Sequence, residues 1–268
     1  MDGGLLSRTS QAVALTRAGM SRPHTERGDP DAQRRLCEGM APIRRPRPGI
    51  WVRTRFFDDQ VLAAVRAGVG QVVICGAGYD DRALRFRSPG VRFFELDHPA
   101  TQADKARRLR AMGADLQSVV LVAADFRDDD AAAVLAAAGH DATRPTLFLC
   151  EGLLIYLDQV VIRRLLAGLR SRAGAGSSLA ASLATHPSGL DSARVAEELN
   201  AGRRHGDTEP WLTVLPAADW RRLLGEAGWL IDREADPRAG SGAEGRSLLV
   251  VAQGSRADGV GDAGRGGT

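Results

Sequence analysis

From Gln71 onward the chain alternates short apolar runs with longer mixed stretches. QVVIC (71–75), VRFFEL (91–96), VVLVA (119–123), TLFLC (146–150) and Ser177–Leu183 are too short for helices. The first four are rich in β-branched and aromatic residues, as strands buried on both faces are. Between them lie segments with helical spacing: Asp80–Phe86, Pro99–Met112, Asp129–Ala138 and the clearly amphipathic Gln159–Leu169. Strands alternating with helices at this spacing predict a parallel, doubly wound α/β sheet. Residues 185–214 break the rhythm with a polar insertion that carries a helix near Ser192–Asn200 and ends in Glu209-Pro210-Trp211. An insertion of this length predicts a lid or substrate wall. A helix over Ala217–Ala227 follows, and Trp229–Glu234 with Ser247–Ala252 predicts a final antiparallel pair.

Ahead of the sheet, residues 1–20 have weak helical amphipathicity, and residues 21–50 are rich in Pro, Arg and Gly. A helical pattern then runs from about Phe57 to Ala67 and stops at Gly68. The expected organisation is an N-terminal helical cap or arm (1–55), a sheet domain (56–252) with its lid insertion (185–214), and a disordered polar tail (253–268).

The chain has 268 residues, 44% of them hydrophobic, enough for one α/β domain with a sizeable core. No run approaches the length of a membrane span, and Asp2 and Arg8 interrupt the apolar N-terminus, so a cytoplasmic protein is expected. The net charge is +3, carried almost entirely by arginine, with Lys105 the single lysine. The basic cluster Arg44, Arg45, Arg47 is short and broken by proline, which argues against nucleic-acid binding. Cys37, Cys75 and Cys150 have no metal-ligand spacing, and no metal is expected. Cys75 and Cys150 each end an apolar run, as small core residues do.

Open parallel sheets bind ligands beyond the carboxyl ends of their strands, where the strand order reverses. Four such ends carry polar signatures. Gly76-Ala77-Gly78-Tyr79-Asp80 follows the first strand, and its glycines allow a tight turn and a close backbone approach. Glu95 and Asp97 in ELDHP close the second, about 20 positions on, where a carboxylate suits the two hydroxyls of a ribose. Alternation puts both on one side and does not separate them; a helix N-cap is the plain structural reading of Asp97. Asp125-Phe126 closes the third strand, with an acceptor for an exocyclic amine beside a ring. Glu151 closes the fourth after an otherwise apolar run; a buried carboxylate there needs a cation, either a ligand ammonium group or a neighbouring arginine. Together the four ends describe an amino-acid head, a ribose and an adenine, which is S-adenosylmethionine rather than a nicotinamide dinucleotide. The third glycine of the dinucleotide fingerprint is replaced by Asp81, and Asp80-Asp81 would repel a pyrophosphate.

The strings VRTRFFDD, VVICGAGYDDRALR, FFELDHPATQADKARRL, ADFRDD and TLFLCEGLLIYL resemble the leucine carboxyl methyltransferase-like family over about residues 10–183. That family includes the eukaryotic protein phosphatase 2A methyltransferase and bacterial O-methyltransferases, some in polyketide pathways. The resemblance implies a class I methyltransferase fold with a Rossmann-like sheet, and S-adenosyl-L-methionine as cofactor. Arg53 or Arg55 would pair with the cofactor carboxylate. Gly76, Ala77 and Gly78 would line its methionine portion, Asp97 would hold the ribose, Asp125 and Phe126 the adenine, and Glu151 the amino group. Tyr156 would sit near the transferred methyl, with Arg53 beside it as the second candidate catalytic residue. The family pattern has Thr or Ser where this chain has Asp81, which leaves the role of that residue open.

The implied reaction is O-methylation of a small-molecule acceptor. A carboxylate acceptor needs no general base, because it is already ionised at neutral pH; a hydroxyl needs one near the methyl group. His186 and His205 in the insertion are the candidates a substrate could reach, whereas His98 opens a helix. A protein C-terminal carboxyl methyltransferase and an NAD(P)-dependent oxidoreductase are the competing readings.

Overall fold

The computed structural model describes residues 7–42, 48–201, 209–236 and 247–255. Seven strands form one sheet: β1 (Gln71–Cys75), β2 (Arg92–Asp97), β3 (Val119–Ala123), β4 (Thr146–Cys150), β5 (Ser178–Ala184), β6 (Trp229–Ala235) and β7 (Ser247–Gly254). Their order is β3-β2-β1-β4-β5-β7-β6. The first five are parallel, and β7 runs antiparallel between β5 and β6. The order reverses at β1, which pairs with β2 on one side and β4 on the other. β7 continues through Gln253 and Gly254, the first residues of the expected disordered tail; residues 256–268 lie outside the described residues.

The pleat sends alternate side chains to opposite layers. Val72 and Ile74, Phe93, and Leu147 and Leu149 pack against Phe57 and Val61 of helix α3 (Pro48–Arg66). Val73, Phe94 and Phe148 face the other way, toward α6 (Ala131–Ala137), α7 (Gln159–Ser171) and α9 (Ala217–Glu226). Burial on both faces explains why these strands are continuously apolar in sequence. A third core joins α1 (Arg8–Ala18), α2 (Ala32–Leu36) and α5 (Pro99–Ala111) around Leu36, Tyr79 and Leu109.

α3 begins at Pro48, well before the expected Phe57. Proline in a first helical turn loses no intrahelical bond, so Pro48 starts this helix rather than breaking it. The helix therefore runs unbroken across residue 55, the expected end of the arm. After β1, α4 is only Arg82–Arg85. The insertion carries α8 (Ser192–Ala201). Its two limbs are joined where the Asn200 side chain donates to Trp211 O and accepts from Trp211 N, both at 2.9 Å, and it is tied to the domain where Leu212 N donates to Ile155 O at 2.8 Å.

Candidate functional site

One cavity of about 360 Å³ lies beyond the carboxyl ends of β1 to β4. Gly76, Ala77 and Gly78 form its floor. Gly76 and Gly78 have φ values of 66° and 49°, in the left-handed region that favours glycine. Side chains would also collide: a Cβ on Gly76 would lie 2.9 Å from Leu153 Cδ1, and one on Gly78 would lie 2.8 Å from Ser10 Cβ. The turn is held to the next strand, with Ala77 N donating to Leu96 O at 3.0 Å.

Asp97 lines this cavity and Glu95 does not. Asp97 Oδ2 accepts from Gly78 N at 2.6 Å and Oδ1 from His98 N at 2.8 Å. Burial pushes its carboxyl above the usual range, although the two N–H bonds oppose that push. Glu95, one pleat earlier, lies under α5, where Lys105 Nζ meets Oε2 at 2.5 Å and also donates to Asp80 O. The helix cap expected from Asp97 comes from its neighbour: His98 Nδ1 accepts from Ala100 N at 3.3 Å, which leaves Nε2–H directed toward Asp125, 3.8 Å from Oδ2. Asp125 and Phe126 both line the wall at the end of β3. Phe126 is buried, and Asp125 Oδ1 accepts from Arg127 N at 3.0 Å.

The other end of the cavity is charged. Glu151 Oε2 meets Arg17 Nη2 at 2.7 Å and Arg82 Nη1 at 2.8 Å, while Oε1 meets Arg53 Nε at 2.9 Å. Arg17 also reaches Asp80 at 3.0 Å, and Arg82 reaches both Asp80 and Asp58. Arg22 bridges Asp58 and Asp81, and Arg85 closes the chain on Asp81 at 2.6 Å. Five guanidinium groups thus meet four carboxylates in one continuous network. Burial alone would push Glu151 up, but Arg17, Arg82 and Arg53 outweigh it and hold the carboxyl far below its usual range. Asp80 is lowered against its burial by Arg82 and Arg17, and Asp81 by Arg22 and Arg85. Arg53 is the most exposed of the arginines on Glu151, with 23% of its side chain accessible.

The role of Asp81, open in the sequence, is set here, and one expectation about this loop needs correction. Asp81 neither caps α4 nor varies a ligand contact; it is fully buried and receives two arginines, one from the arm and one from α4. Asp80 and Asp81 also do not repel phosphates with open charge, because arginines neutralise both. What works against a pyrophosphate is that Asp80 Oδ1 already accepts from Arg82 N at 2.8 Å, so a carboxylate occupies the start of the short α4.

Arg53 and Tyr156 line the cavity, Tyr156 from a 3-10 turn at Leu154–Tyr156. Arg55 lies two residues further along α3, about 200° around the helix, and is exposed outside the cavity. His186 is buried and committed elsewhere, with Nδ1 at 2.8 Å from Pro187 O and Nε2 at 2.8 Å from Ser192 Oγ. His205 and the Arg44, Arg45, Arg47 cluster lie outside the described residues. Cys75 and Cys150 are fully buried on adjacent strands; the Cys150 thiol and burial push Cys75 up, as befits inert core thiols. Sequence reasoning missed Arg17, Arg82 and the arm residues Ser7 and Ser10, all but Arg82 of which line the cavity. The i, i+4 spacing of Asp81 and Arg85 was a usable local signal; nothing local pointed to Arg17.

A seven-stranded sheet in this order, with its crevice at the β1–β4 reversal, is the Rossmann-like architecture of class I methyltransferases. Two solved structures share it. A methyltransferase of Thermobifida fusca, provisionally named, superposes with a TM-score of 0.61 at 17% identity, over 92% of this chain and 94% of that one. The magnesium protoporphyrin IX methyltransferase of Synechocystis, solved with bound S-adenosylhomocysteine, gives 0.53 at 16% identity over 83% and 92%. At the level of sequence, the leucine carboxyl methyltransferase profile matches residues 6–170. A Streptomyces coelicolor protein with the provisional name S-adenosyl-L-methionine-dependent methyltransferase is 40% identical over 183 residues, 67% of this chain and 62% of that protein. A Frankia alni protein of the same provisional name is 36% identical over 92% of this chain and 83% of its own length. The chain belongs to the leucine carboxyl methyltransferase family. It spans 62% of the length of the Streptomyces relative.

No helix among the described residues is long and apolar enough to cross a membrane.

Proposed function

We propose that the protein is an S-adenosyl-L-methionine-dependent O-methyltransferase acting on a carboxylate or hydroxyl of a small molecule. The observation that carries this reading is a single cavity with an accessible Arg53–Glu151 ion pair at one end and Asp97 at the other. The glycine floor leaves room that any side chain at 76 or 78 would fill. A zwitterionic amino-acid head suits the ion pair. Its ammonium can replace Arg53 at Glu151 Oε1 while its carboxylate takes the released guanidinium, and no charge is left unpaired. Arg17 and Arg82 keep Oε2 and so hold the Glu151 carboxylate in place. Asp97 accepts from ribose hydroxyls, and Asp125 with Phe126 takes the adenine edge and face.

When bound, S-adenosylmethionine would supply an activated methyl group for the acceptor oxygen, with S-adenosylhomocysteine as the other product. The protein's part is alignment and exclusion of water. Leu153, Tyr156 and Leu157 wall the methyl end of the cavity. His186, bound to Pro187 and Ser192, does not line the cavity; a carboxylate acceptor would need no base there, because it is already ionised.

Calorimetric titration tests the cofactor: S-adenosylmethionine binds at sub-millimolar concentration and NAD does not. Absence of S-adenosylmethionine binding would overturn the reading. Product analysis tests the acceptor, because methyl esters are cleaved by mild alkali and methyl ethers are not. A protein C-terminal carboxylate as the preferred acceptor would reassign the substrate class.

A further inference from the structure

The insertion and the N-terminal arm meet over the Asp97 end of the cavity. Glu209, at the end of the insertion, lines the same cavity as Asp97. Ser7 Oγ donates to Glu209 Oε2 at 3.2 Å and accepts from Ser10 N at 3.0 Å. Ser10 sits over Gly78, whose N–H donates to Asp97 Oδ2 at 2.6 Å. A short chain of contacts therefore runs from the insertion carboxylate, through two serines, to the floor carboxylate. The charge on Glu209 adds to the burial that raises the Asp97 carboxyl, as expected for two acids facing one space.

Two carboxylates across a cavity repel each other unless donors stand between them. Asp97 already spends one lone pair of each oxygen on a backbone N–H, so a vicinal diol is served better by two carboxylates than by one. We infer that Glu209 is a second acceptor for the cofactor's ribose diol, reaching from the insertion to face Asp97, so that cofactor binding and seating of the insertion reinforce each other. Ser7 is its positioning residue. This inference rests on the cofactor reading above, and the test separates the two.

The test is calorimetric titration of the full chain with S-adenosylhomocysteine and with its 2′-deoxy and 3′-deoxy analogues. Glu209→Ala should weaken S-adenosylhomocysteine binding about tenfold, the scale of one hydrogen bond to a charged acceptor. Against the deoxy analogue that lacks the contacted hydroxyl, the same substitution should cost less than about twofold. Ser7→Ala should lose roughly threefold on the natural ligand, as expected for a neutral hydrogen bond. Equal losses on all three ligands would mean that Glu209 only shapes the insertion, and no loss on any would mean that it does not reach the ligand; either result overturns the inference. Failure of the unaltered protein to bind S-adenosylhomocysteine would instead overturn the cofactor reading.

Discussion

The two ends of the cavity hold their carboxylates in opposite ways. Asp97 is held by two backbone N–H groups, and burial raises its carboxyl. Glu151 is held by three guanidinium groups, which lower its carboxyl against the same burial. Asp97 can be altered almost alone, because its donors belong to main chain that is fixed by the turn. Glu151 cannot: each arginine on it also serves another group or the cavity, and removing any member strands charge in a buried place. The Asp97 end is a site built on a fold, whereas the Glu151 end is a site that is part of the fold.

The largest effect that could break this contrast is on stability. Arg82 is fully buried and touches Asp58, Asp80 and Glu151. Arg82→Met should destabilise the protein by about 3–5 kcal/mol, because it leaves buried carboxylates short of a cation. Asp97→Asn should change stability by less than about 1 kcal/mol. Urea unfolding measures both, and similar losses would erase the distinction. The next effect is on affinity: Glu151→Gln should weaken S-adenosylmethionine about a hundredfold and Asp97→Asn about tenfold, since an ammonium–carboxylate pair is charged on both partners and a hydroxyl–carboxylate bond on only one. Calorimetry on the folded variants checks the order, and a reversed order would move the main anchor of the ligand to the ribose.

The smallest effect is a difference of sign with pH. A lowered carboxyl such as Glu151 stabilises the fold above its ordinary value of 4.5, and that stabilisation fades as pH falls below it. The raised Asp97 does the reverse, adding a penalty that grows as pH rises above 3.8. The stability deficit of Glu151→Gln should therefore shrink between pH 7 and pH 3. Any gain from Asp97→Asn should be present at pH 7 and vanish at pH 3. Urea midpoints across that range show whether the two slopes oppose, and parallel slopes would sink the idea.

This contrast also marks what could be seen in the sequence. β1 and β4 have their predicted boundaries because strands buried on both faces write themselves as unbroken apolar runs, and the apolar run of β3 marks that strand too although it lies half-buried at the sheet edge. Asp97, Asp125, Phe126 and Glu151 were visible because each follows such a run, at the one place where an open sheet gathers ligand-facing residues. The arginine network was not visible. Arginine is common in this chain, and what sets Arg17 and Arg22 apart is which distant carboxylates they meet, a fact of tertiary structure. Arg53 and Arg55 could not be told apart in sequence until α3 was known to begin at Pro48, which fixes their opposite faces. The role of Asp81 stayed open in the sequence, because its meaning depended on Arg22 in a Pro- and Arg-rich stretch with no periodicity of its own.

The arginine network has a consequence for the order in which the chain can fold. Arg22 finds Asp58 and Asp81 early in synthesis, but Arg17 is completed by Glu151, at the end of β4. On a ribosome that releases the N-terminus first, the arm can dock by its second arginine while its first still waits. Until β4 pairs beside β1, Arg17 and Arg82 have Asp80 to share and no Glu151. The last ion pair that Arg17 gains is thus one that lines the cavity, and it waits for the strand that ends just before Glu151, while Ser7 at the start of the arm waits longer still, for Glu209 of the insertion.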